Sequence, residues 1–142
     1  MEPLGLQGKI IIPGTVQGTA LVSLEPLSFW GGYDWKTGEI IDRRHMLSGC
    51  IAKGKILAVP FTRGSSTTTA VLLEAIRAGT APVAIITTGT DFFFALASVV
   101  ADELYSSPLP LVALDEKDFA KLRTNDGIQI TNDGMVIVQR MG

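Results

Sequence analysis

The sequence has 142 residues, of which 46% are apolar and 18% are charged, and its formal net charge is −2. This length and apolar content are typical of one globular domain and exclude a disordered chain. The weakly acidic balance disfavours nucleic acid and anionic membranes as partners, and neither a membrane-length apolar run nor a signal-peptide pattern is present, so we expect a cytoplasmic location.

The first part of the chain predicts two strands. Residues 1–8 are expected to form a short lead-in, and Lys9–Ile12 is a strand candidate that ends at the turn signal Pro13-Gly14. Residues 15–24 alternate well enough to predict a second strand.

The segment 25–49 has no sustained period of 2 or 3.6 residues. It contains both tryptophans, Trp30 and Trp35, together with Tyr33 and His45. Its aromatic content argues against disorder. We therefore expect an ordered loop that packs on this domain or on a partner, with the tryptophans as packing anchors.

The middle of the chain predicts a parallel strand–helix–strand unit. Apolar runs at 56–59 and 83–86 predict two buried strands, and residues 70–78 between them predict a helix that ends at Gly79. Strands joined by one helix run parallel with a right-handed crossover. Residues 111–114 predict a third parallel strand.

A second strand-to-helix turn is predicted at residues 87–91, with Asp91 as the N-cap of a helix over 92–105. This helix is nearly free of polar residues until Asp102, so we expect it to be well buried. Beyond the third parallel strand, Asp115 is expected to cap a short helix over 115–122.

The C-terminal part predicts a hairpin, because alternating runs at 127–131 and 135–139 are joined by Asn132-Asp133-Gly134. The predicted fold class is therefore α/β, with a central parallel βαβ unit and β-rich N- and C-terminal parts.

The turn at residues 63–69 is the first candidate site, because ligands of parallel sheets collect at the carboxyl ends of strands. It contains Arg63, Gly64, Ser65 and Ser66, followed by three threonines. A helix start offers free N–H groups, so we expect a carboxylate or phosphate to bind the N–H groups of Gly64 to Thr67. The plainer alternative is that these hydroxyl groups only cap and begin the helix.

Common nucleophile and phosphate motifs do not fit this turn, which lacks the second Gly of G-x-S-x-G and the Lys of a Walker loop. A Ser-His-Asp triad would have to use His45, the only histidine, which is more simply a hydrogen-bonding surface residue. The single cysteine, Cys50, cannot form an internal disulfide or hold an iron–sulfur cluster, and is expected to be a small buried apolar residue.

Several motifs together resemble the small, swivelling-domain subunit of the aconitase X family, from about Gly8 to the C-terminus. They are Leu27-Ser28-Phe29-Trp30-Gly31-Gly32, Asp34, Thr37-Gly38, Asp42, His45, Arg63-Gly64-Ser65-Ser66, Gly79-Thr80-Ala81-Pro82 and Ala84-Ile85-Ile86. The resemblance implies that residues 1–142 form a single domain with a swivelling β/β/α fold.

The same resemblance implies a heteromeric hydro-lyase. In the family the small subunit pairs with a large subunit or is fused to it, and the large part carries the cysteine ligands of an iron or iron–sulfur centre. The small part supplies the first serine of Gly-Ser-Ser, which takes a proton from the carbon next to a carboxylate. That serine is Ser65 here. The chain alone is expected to bind no cofactor, and the remaining predicted substrate-binding residues are Arg63, Gly64, Ser66, Thr67, Gly31, Gly32 and His45.

The substrate implied by the resemblance is a small hydroxy acid. Family members dehydrate cis-3-hydroxy-L-proline or mevalonate 5-phosphate, and the hydroxyl-rich run at 65–69 with Glu103-Leu104-Tyr105 resembles the bacterial hydroxyproline type more. Aconitases themselves have a substrate-binding Arg directly after Ser-Ser. Thr67 stands there instead, which leaves open whether Arg63 takes that role.

Two functions of other classes compete with this one. The chain could be a swivelling carrier domain with His45 as a phosphohistidine, although the irregular loop argues against that, or a free-standing domain whose 63–69 turn binds an anion. For the hydro-lyase, we expect the loop 25–49 and the 63–69 turn to lie at one interface with the large subunit.

Overall fold

A curled sheet of eight strands organises the fold of residues 2–63 and 67–140, which the computed structural model describes. The strands of this sheet are β1 (Leu4–Gln7), β2 (Lys9–Ile12), β3 (Val16–Val22), β6 (Ile56–Ala58), β7 (Ala84–Thr87), β8 (Leu111–Ala113), β9 (Gly127–Ile130) and β10 (Met135–Gln139). A small separate pair contains β4 (Tyr33–Asp34) and β5 (Glu39–Ile40). The helices are α1 (Thr67–Ala78), α2 (Phe92–Tyr105) and α3 (Glu116–Phe119).

The centre of the sheet is parallel and its flanks are antiparallel. Strands β3, β6, β7 and β8 lie side by side in parallel. Strands β9, β10 and β1 follow beyond β3, and β2 pairs with β8 at the other end. The predicted βαβ unit, third parallel strand and C-terminal hairpin are confirmed, and so is the α/β fold class.

The two ends of the strand order meet at Gly8. Strands β1 and β2 occupy opposite ends of the order, yet only Gly8 separates them along the chain. Because neighbouring Cα atoms are about 3.8 Å apart, the sheet must curl until its ends come together. The Gly8 N–H donates to Gly134 O at 2.9 Å, and a Cβ on Gly8 would lie 2.2 Å from Val112 Cγ1.

The parallel strands are buried on both faces. Leu57 and Ile85 face a core formed with α1, α2 and the loop 25–49. Their neighbours Ile56 and Ala84 face a second core on the opposite side of the sheet, formed with α3, β1, β9 and β10. Burial on both faces explains why these strands appear in the sequence as continuous apolar runs without alternation.

The predicted end of the first helix is confirmed in detail. Gly79 has a φ of +77°, a conformation that glycine adopts without strain. The N–H of Thr80 donates to Ala75 O at 2.9 Å and the N–H of Gly79 donates to Ile76 O at 3.2 Å. This pair of bonds is a Schellman motif, which satisfies carbonyls that the helix leaves unpaired.

Two predicted boundaries are wrong. The predicted lead-in contains strand β1, because Leu6 is buried against the second core and its neighbours pair with the last strand of the chain. The third helix covers only Glu116–Phe119, and turns continue the chain to Leu122, which is also buried. Asp115 is its N-cap, as predicted.

The predicted burial of the second helix is wrong for one of its faces. Helix α2 has the predicted bounds, and Phe94 and Ala97 are buried in the first core. Phe92, Leu96 and Val99, however, are exposed at 68%, 39% and 50%. The helix forms an outer layer of the fold, so only one stripe of it contacts the sheet.

In the described part of the chain, none of the helices has the length and apolar character that a membrane crossing requires.

Candidate functional site

The carboxyl ends of β3 and β6 carry the candidate site. Beyond these strands the chain keeps pairing, since Leu27 and Thr62 form a parallel bridge and the N–H of Arg63 donates to Leu27 O at 3.0 Å. This pairing brings Arg63 from the predicted anion turn alongside the start of the loop 25–49. Of the predicted turn, Arg63 therefore lies next to the start of the loop 25–49.

A polar groove of about 410 Å³ lies between these segments. Its lining consists of Glu25, Pro26, Ser28, Asp42, Arg44, His45 and Arg63. The guanidinium groups of Arg44 and Arg63 form neither hydrogen bonds nor ion pairs with other described residues. Two unpaired guanidinium groups in one groove are suited to binding a carboxylate or phosphate.

The carboxylates of the groove are partly engaged by the backbone. Glu25 Oε1 accepts from the N–H of Met46 at 2.7 Å, and Asp42 Oδ1 accepts from the N–H of Arg44 at 3.0 Å. The second bond is an Asx turn. The groove therefore presents both signs of charge to a ligand.

His45 is buried rather than on the surface, with 7% of its area exposed. Its Nδ1 accepts from the N–H of Leu47 at 3.1 Å, and its Nε2 lies 3.3 Å from Ser23 Oγ. Because Nδ1 accepts a bond, the ring proton is on Nε2 and is donated to Ser23. The Ser23 hydroxyl in turn donates to Glu25 O at 2.6 Å.

These bonds change the interpretation of His45. Its ring cannot accept a proton from Ser23, since the Ser23 hydroxyl donates to a carbonyl and receives the His45 proton. A phosphohistidine carrier needs an accessible ring nitrogen, and here Nδ1 is occupied by Leu47 and Nε2 by Ser23. His45 instead holds the turn that carries Asp42 and Arg44 against the end of β3.

Phe29 and Tyr33, not the tryptophans alone, anchor the loop 25–49. Their rings stack at 4.9 Å, and Phe29 also meets Phe94 edge to face at 5.4 Å. The Tyr33 hydroxyl donates to Thr80 O at 2.8 Å, and burial raises the pKa of this phenol. The predicted ordered loop is confirmed, and Trp35 is half-buried, but Trp30 is 71% exposed and does not anchor the loop on this domain.

Gly31 and Gly32 shape the turn beside the groove without lining it. Gly31 has a φ of +74°, and a Cβ on Gly32 would lie 2.1 Å from Ser28 O. Both positions therefore require glycine for backbone reasons. The Ser28 hydroxyl, which lines the groove, donates to Trp30 O at 3.2 Å across the same turn.

The predicted catalytic residues directly follow Arg63, a residue of this groove, in the sequence. Gly64, Ser65 and Ser66 lie outside the described residues, so their predicted roles stay predictions. On one side of them Arg63 lines the groove, and on the other Thr67 is the first residue of α1.

Four polar lining residues were not predicted as site residues: Glu25, Ser28, Asp42 and Arg44. A sequence signal existed for two of them. Glu25 follows a predicted strand at its carboxyl end, and Arg44 directly precedes His45. Beyond their place in the family motifs, Ser28 and Asp42 carry no comparable signal, because only the folded loop brings them to Arg63.

The described residues do not fit an iron or iron–sulfur centre. No group of three His, Cys, Asp or Glu side chains is placed to hold a metal ion within residues 2–63 and 67–140. Cys50 packs against the first core, but it is half-buried and not buried as predicted. Iron–sulfur clusters need several thiolates, and this chain has one cysteine.

Comparison with known proteins identifies the family. The model of the family described as "Aconitase X swivel domain" matches residues 5–138. The chain belongs to the aconitase X swivel domain family. Cis-3-hydroxy-L-proline dehydratase of Pseudomonas aeruginosa is 43% identical over 109 residues, which are 77% of this chain and 19% of that protein. This chain thus spans about a fifth of the length of that curated relative.

Two further matches cover nearly all of this aconitase X swivel domain. The phosphomevalonate dehydratase small subunit of Methanosarcina acetivorans is 34% identical over 131 residues, covering 92% of this chain and 87% of that one. The crystal structure of Thermococcus kodakaraensis aconitase X in its holo-form matches with a TM-score of 0.86 and 30% identity, covering 96% of this chain and 99% of that chain. The swivelling β/β/α fold implied by the sequence is therefore confirmed.

Proposed function

We propose that residues 1–142 act as the small subunit of an aconitase X-type hydro-lyase that dehydrates a small hydroxy acid. The leading substrate is cis-3-hydroxy-L-proline. The proposal is supported by the family and by the names of its members, which are dehydratases.

One observation on this chain carries the choice of substrate: the groove beside Arg63 has both signs of charge. Unpaired guanidinium groups of Arg44 and Arg63 suit a carboxylate, and the carboxylates of Glu25 and Asp42 suit an ammonium group. Hydroxyproline is a zwitterion with a carboxylate and a ring ammonium group. Mevalonate 5-phosphate has a carboxylate and a phosphate, so Glu25 and Asp42 would repel it.

In this proposal Ser65 is the base. It removes the proton from the carbon next to the substrate carboxylate, the electron pair of that C–H bond forms the new C=C bond, and the neighbouring C–O bond breaks so that the hydroxyl leaves as hydroxide. Release of the proton from Ser65 then balances the hydroxide, and the overall products are the unsaturated acid and one water. A serine alkoxide has to be stabilised, and N–H groups at the start of α1 together with the Arg63 guanidinium are the candidates. Arg44 and Arg63 would hold the carboxylate so that this proton faces Ser65.

The metal centre of the enzyme is assigned to a large subunit, because the donor groups of the residues that the structure describes do not form a set of ligands. Relatives named "small subunit" support the existence of such a partner. We therefore expect the isolated chain to have no dehydratase activity and the assembled complex to be active.

Mevalonate 5-phosphate dehydration is the second candidate. The Methanosarcina relative favours it, because that relative is a separate small subunit and this chain covers 87% of its length. The hydroxyproline relative is a much longer chain, of which this chain covers 19%. Assays of the assembled complex on both substrates distinguish the two.

The serine is tested with two neighbouring variants in the assembled complex. Ser65→Ala should keep the complex and lower turnover by a factor on the order of a hundred or more, the scale of a lost proton-transfer group. Ser66→Ala should retain turnover and lose roughly 1 kcal/mol of stability if Ser66 only caps the helix. Turnover and melting temperature are measured on both, and near-normal turnover of Ser65→Ala would end the catalytic assignment.

The interface with the large subunit is expected to surround the groove. Trp30, Phe61 and Phe92 are exposed at 71%, 53% and 68%, and each stands within two residues of Ser28, Arg63 or Asp91 at this edge. Exposed aromatic side chains of this kind often carry interface energy.

Trp30→Ala should therefore weaken binding of the large subunit, by about tenfold or more for a central aromatic contact. Leu104→Ala is the matched control, because Leu104 is 62% exposed and twelve residues beyond Phe92 on α2, about 18 Å away along the helix. Titration of the large subunit measures both affinities. Equal affinities for the two variants would count against this interface.

A further inference from the structure

The carboxylate of Asp91 joins two segments at the edge of the sheet. Its Oδ2 accepts two bonds from Thr62, one from the N–H at 2.8 Å and one from the hydroxyl at 2.9 Å. Its Oδ1 accepts from the N–H groups of Phe93 and Phe94 at 3.1 and 3.2 Å. One oxygen therefore caps α2, and the other binds the chain three residues before Ser65.

A helix cap alone does not need the second oxygen. Asp115 caps α3 with Oδ1 only, which accepts from the N–H of Asp118 at 2.7 Å. Asparagine, with a single side-chain oxygen, caps helices as well as aspartate does. The additional requirement for a carboxylate at Asp91 comes from Thr62.

Further bonds attach the same region to both flanks of residues 64–66. On the upstream flank, Thr88 donates to Pro60 O from its N–H at 3.1 Å and from its hydroxyl at 3.0 Å. On the downstream flank, the Thr69 hydroxyl donates to Phe93 O at 3.0 Å. The segment between Thr62 and Thr69 is thus held at both ends by the turn 87–91 and the first turn of α2.

We infer that Asp91 is a positioning residue, which holds the flanks of Ser65 in register with the groove. The inference rests on the proposed role of Ser65. Bonds to a carboxylate are stronger than those between neutral groups, so this attachment resists displacement of Thr62. A displacement of about 1 Å of a reacting group can cost about a hundredfold in rate.

The test compares two caps that undergo the same substitution. In the assembled complex, Asp91→Asn keeps one oxygen for either the helix or Thr62, whereas Asp115→Asn retains its single cap bond. We expect kcat of Asp91→Asn to fall about tenfold or more, with a smaller change in KM, and kcat of Asp115→Asn to stay at the wild-type value.

A second pair of variants leaves both caps intact. Thr62→Val removes only the hydroxyl donor to Asp91, while Thr62→Ser restores it. We expect Thr62→Val to lower kcat and Thr62→Ser to recover it. A merely structural role would instead lower the melting temperature of both Asp91→Asn and Thr62→Val without changing kcat at permissive temperature, and that result would overturn the inference.

Hydrogen exchange separates this inference from the proposed function. In the isolated chain, residues 60–70 should exchange faster in Asp91→Asn and Thr62→Val than in wild type or Asp115→Asn. Unchanged exchange would overturn the attachment, and faster exchange with wild-type kcat would overturn its role in positioning. If Ser65→Ala keeps its turnover, the proposed base fails, while the exchange pattern still decides whether Asp91 holds this segment.

Discussion

At the residue scale, the groove combines engaged carboxylates with unpaired guanidinium groups. Glu25 and Asp42 each use one oxygen to hold a backbone N–H of the neighbouring turn. Arg44 and Arg63 have no such partner among the described residues. Each carboxylate therefore retains an oxygen for a cationic group of the substrate, and each arginine can bind an anionic group.

Glu25→Gln tests the preference for a zwitterion. The amide oxygen can still accept from the N–H of Met46, so the turn is kept and only the charge is removed. In the assembled complex we expect KM for hydroxyproline to rise about tenfold, because a hydrogen bond to a charged group contributes roughly 1.5–3 kcal/mol. KM for mevalonate 5-phosphate should not rise. Steady-state kinetics on both substrates give the comparison, and an equal rise for both would contradict the prediction.

Arg44→Gln tests the anion side of the same groove. The substitution removes a guanidinium group that would bind the carboxylate of either substrate, so KM should rise for both. Arg43→Gln is the control, because Arg43 is exposed and is not among the residues that line the groove in the described part of the chain. Equal KM values for the two variants would remove Arg44 from the site.

The roles of single residues could be predicted from the sequence where they depend only on neighbouring residues. Asp91 and Asp115 were predicted as caps because a cap depends on residues two or three positions away. The bonds from Thr62 to Asp91 and from His45 to Ser23 join residues more than twenty positions apart. Only the folded chain brings them together, so neither the buried His45 nor the second role of Asp91 could be predicted.

At the element scale, the junction between β1 and β2 requires a residue without a side chain, which is Gly8. A Cβ on Gly8 would meet Val112 Cγ1 at 2.2 Å and the carbonyl oxygens of Gly134 and Ala113 at 3.0 and 3.2 Å. The valine methyl could rotate away, but the two carbonyls belong to the backbone of the hairpin turn before β10 and of β8. The junction therefore has no room for a larger residue.

Gly8→Ala should lower the free energy of unfolding by about 1–3 kcal/mol, the usual cost of overpacking. Gly89→Ala is the matched control, because a Cβ there meets nothing within 4 Å and its φ is not in the left-handed region. Denaturant unfolding of both variants measures the difference. A Gly8→Ala protein as stable as Gly89→Ala would show that the junction relaxes.

Strands and helices could be predicted from the sequence where the apolar pattern and the turn residues indicate the same element. Continuous apolar runs and the Asp133-Gly134 turn gave the parallel strands and the hairpin correctly. Strand β1 was missed because a four-residue strand between Pro3 and Gly8 shows little alternation. The open face of α2 was missed because apolar composition does not reveal how many sides of a helix are covered.

At the scale of the whole molecule, an ion pair ties the end of the last strand to the chain before β9. Arg140 donates to Asp126 from Nε at 2.7 Å and from a terminal nitrogen at 2.8 Å, and it also donates to Lys121 O at 3.0 Å. Burial favours a raised pKa for Asp126, but hydrogen bonds from Arg140 and from the N–H of Arg123, with the charges of both arginines, hold its pKa below the usual range.

This lowered pKa makes stability depend on pH. A carboxyl group whose pKa is lower in the folded state stabilises the fold at neutral pH, and the contribution is lost as pH falls from its ordinary pKa through the lowered one. Asp126→Asn should therefore melt below wild type at neutral pH, with the difference shrinking in that acidic range. Melting curves across pH measure it, with Asp118→Asn, from an exposed pair, as the control. A difference independent of pH would contradict the linkage.

The order of the strands was out of reach of sequence reasoning. Local patterns identify strands, but the pairing of β3 with β9 and of β2 with β8 joins segments about a hundred residues apart. Those pairings depend on both cores being filled at once. The family resemblance supplied the swivelling fold, whereas the strand order came from the structure.

The meeting of the sheet's ends at Gly8 sets the order in which the protein can fold. Strand β1 pairs with β10, so that Leu4 lies opposite Val138 and Leu6 opposite Val136. During synthesis β1 therefore leaves the ribosome well before β10, its partner, and has to wait until β10 has been made. Contacts between such distant segments slow folding. Closure at Gly8 is thus expected to be a late step, with β1 unpaired in any nascent chain that ends before β10.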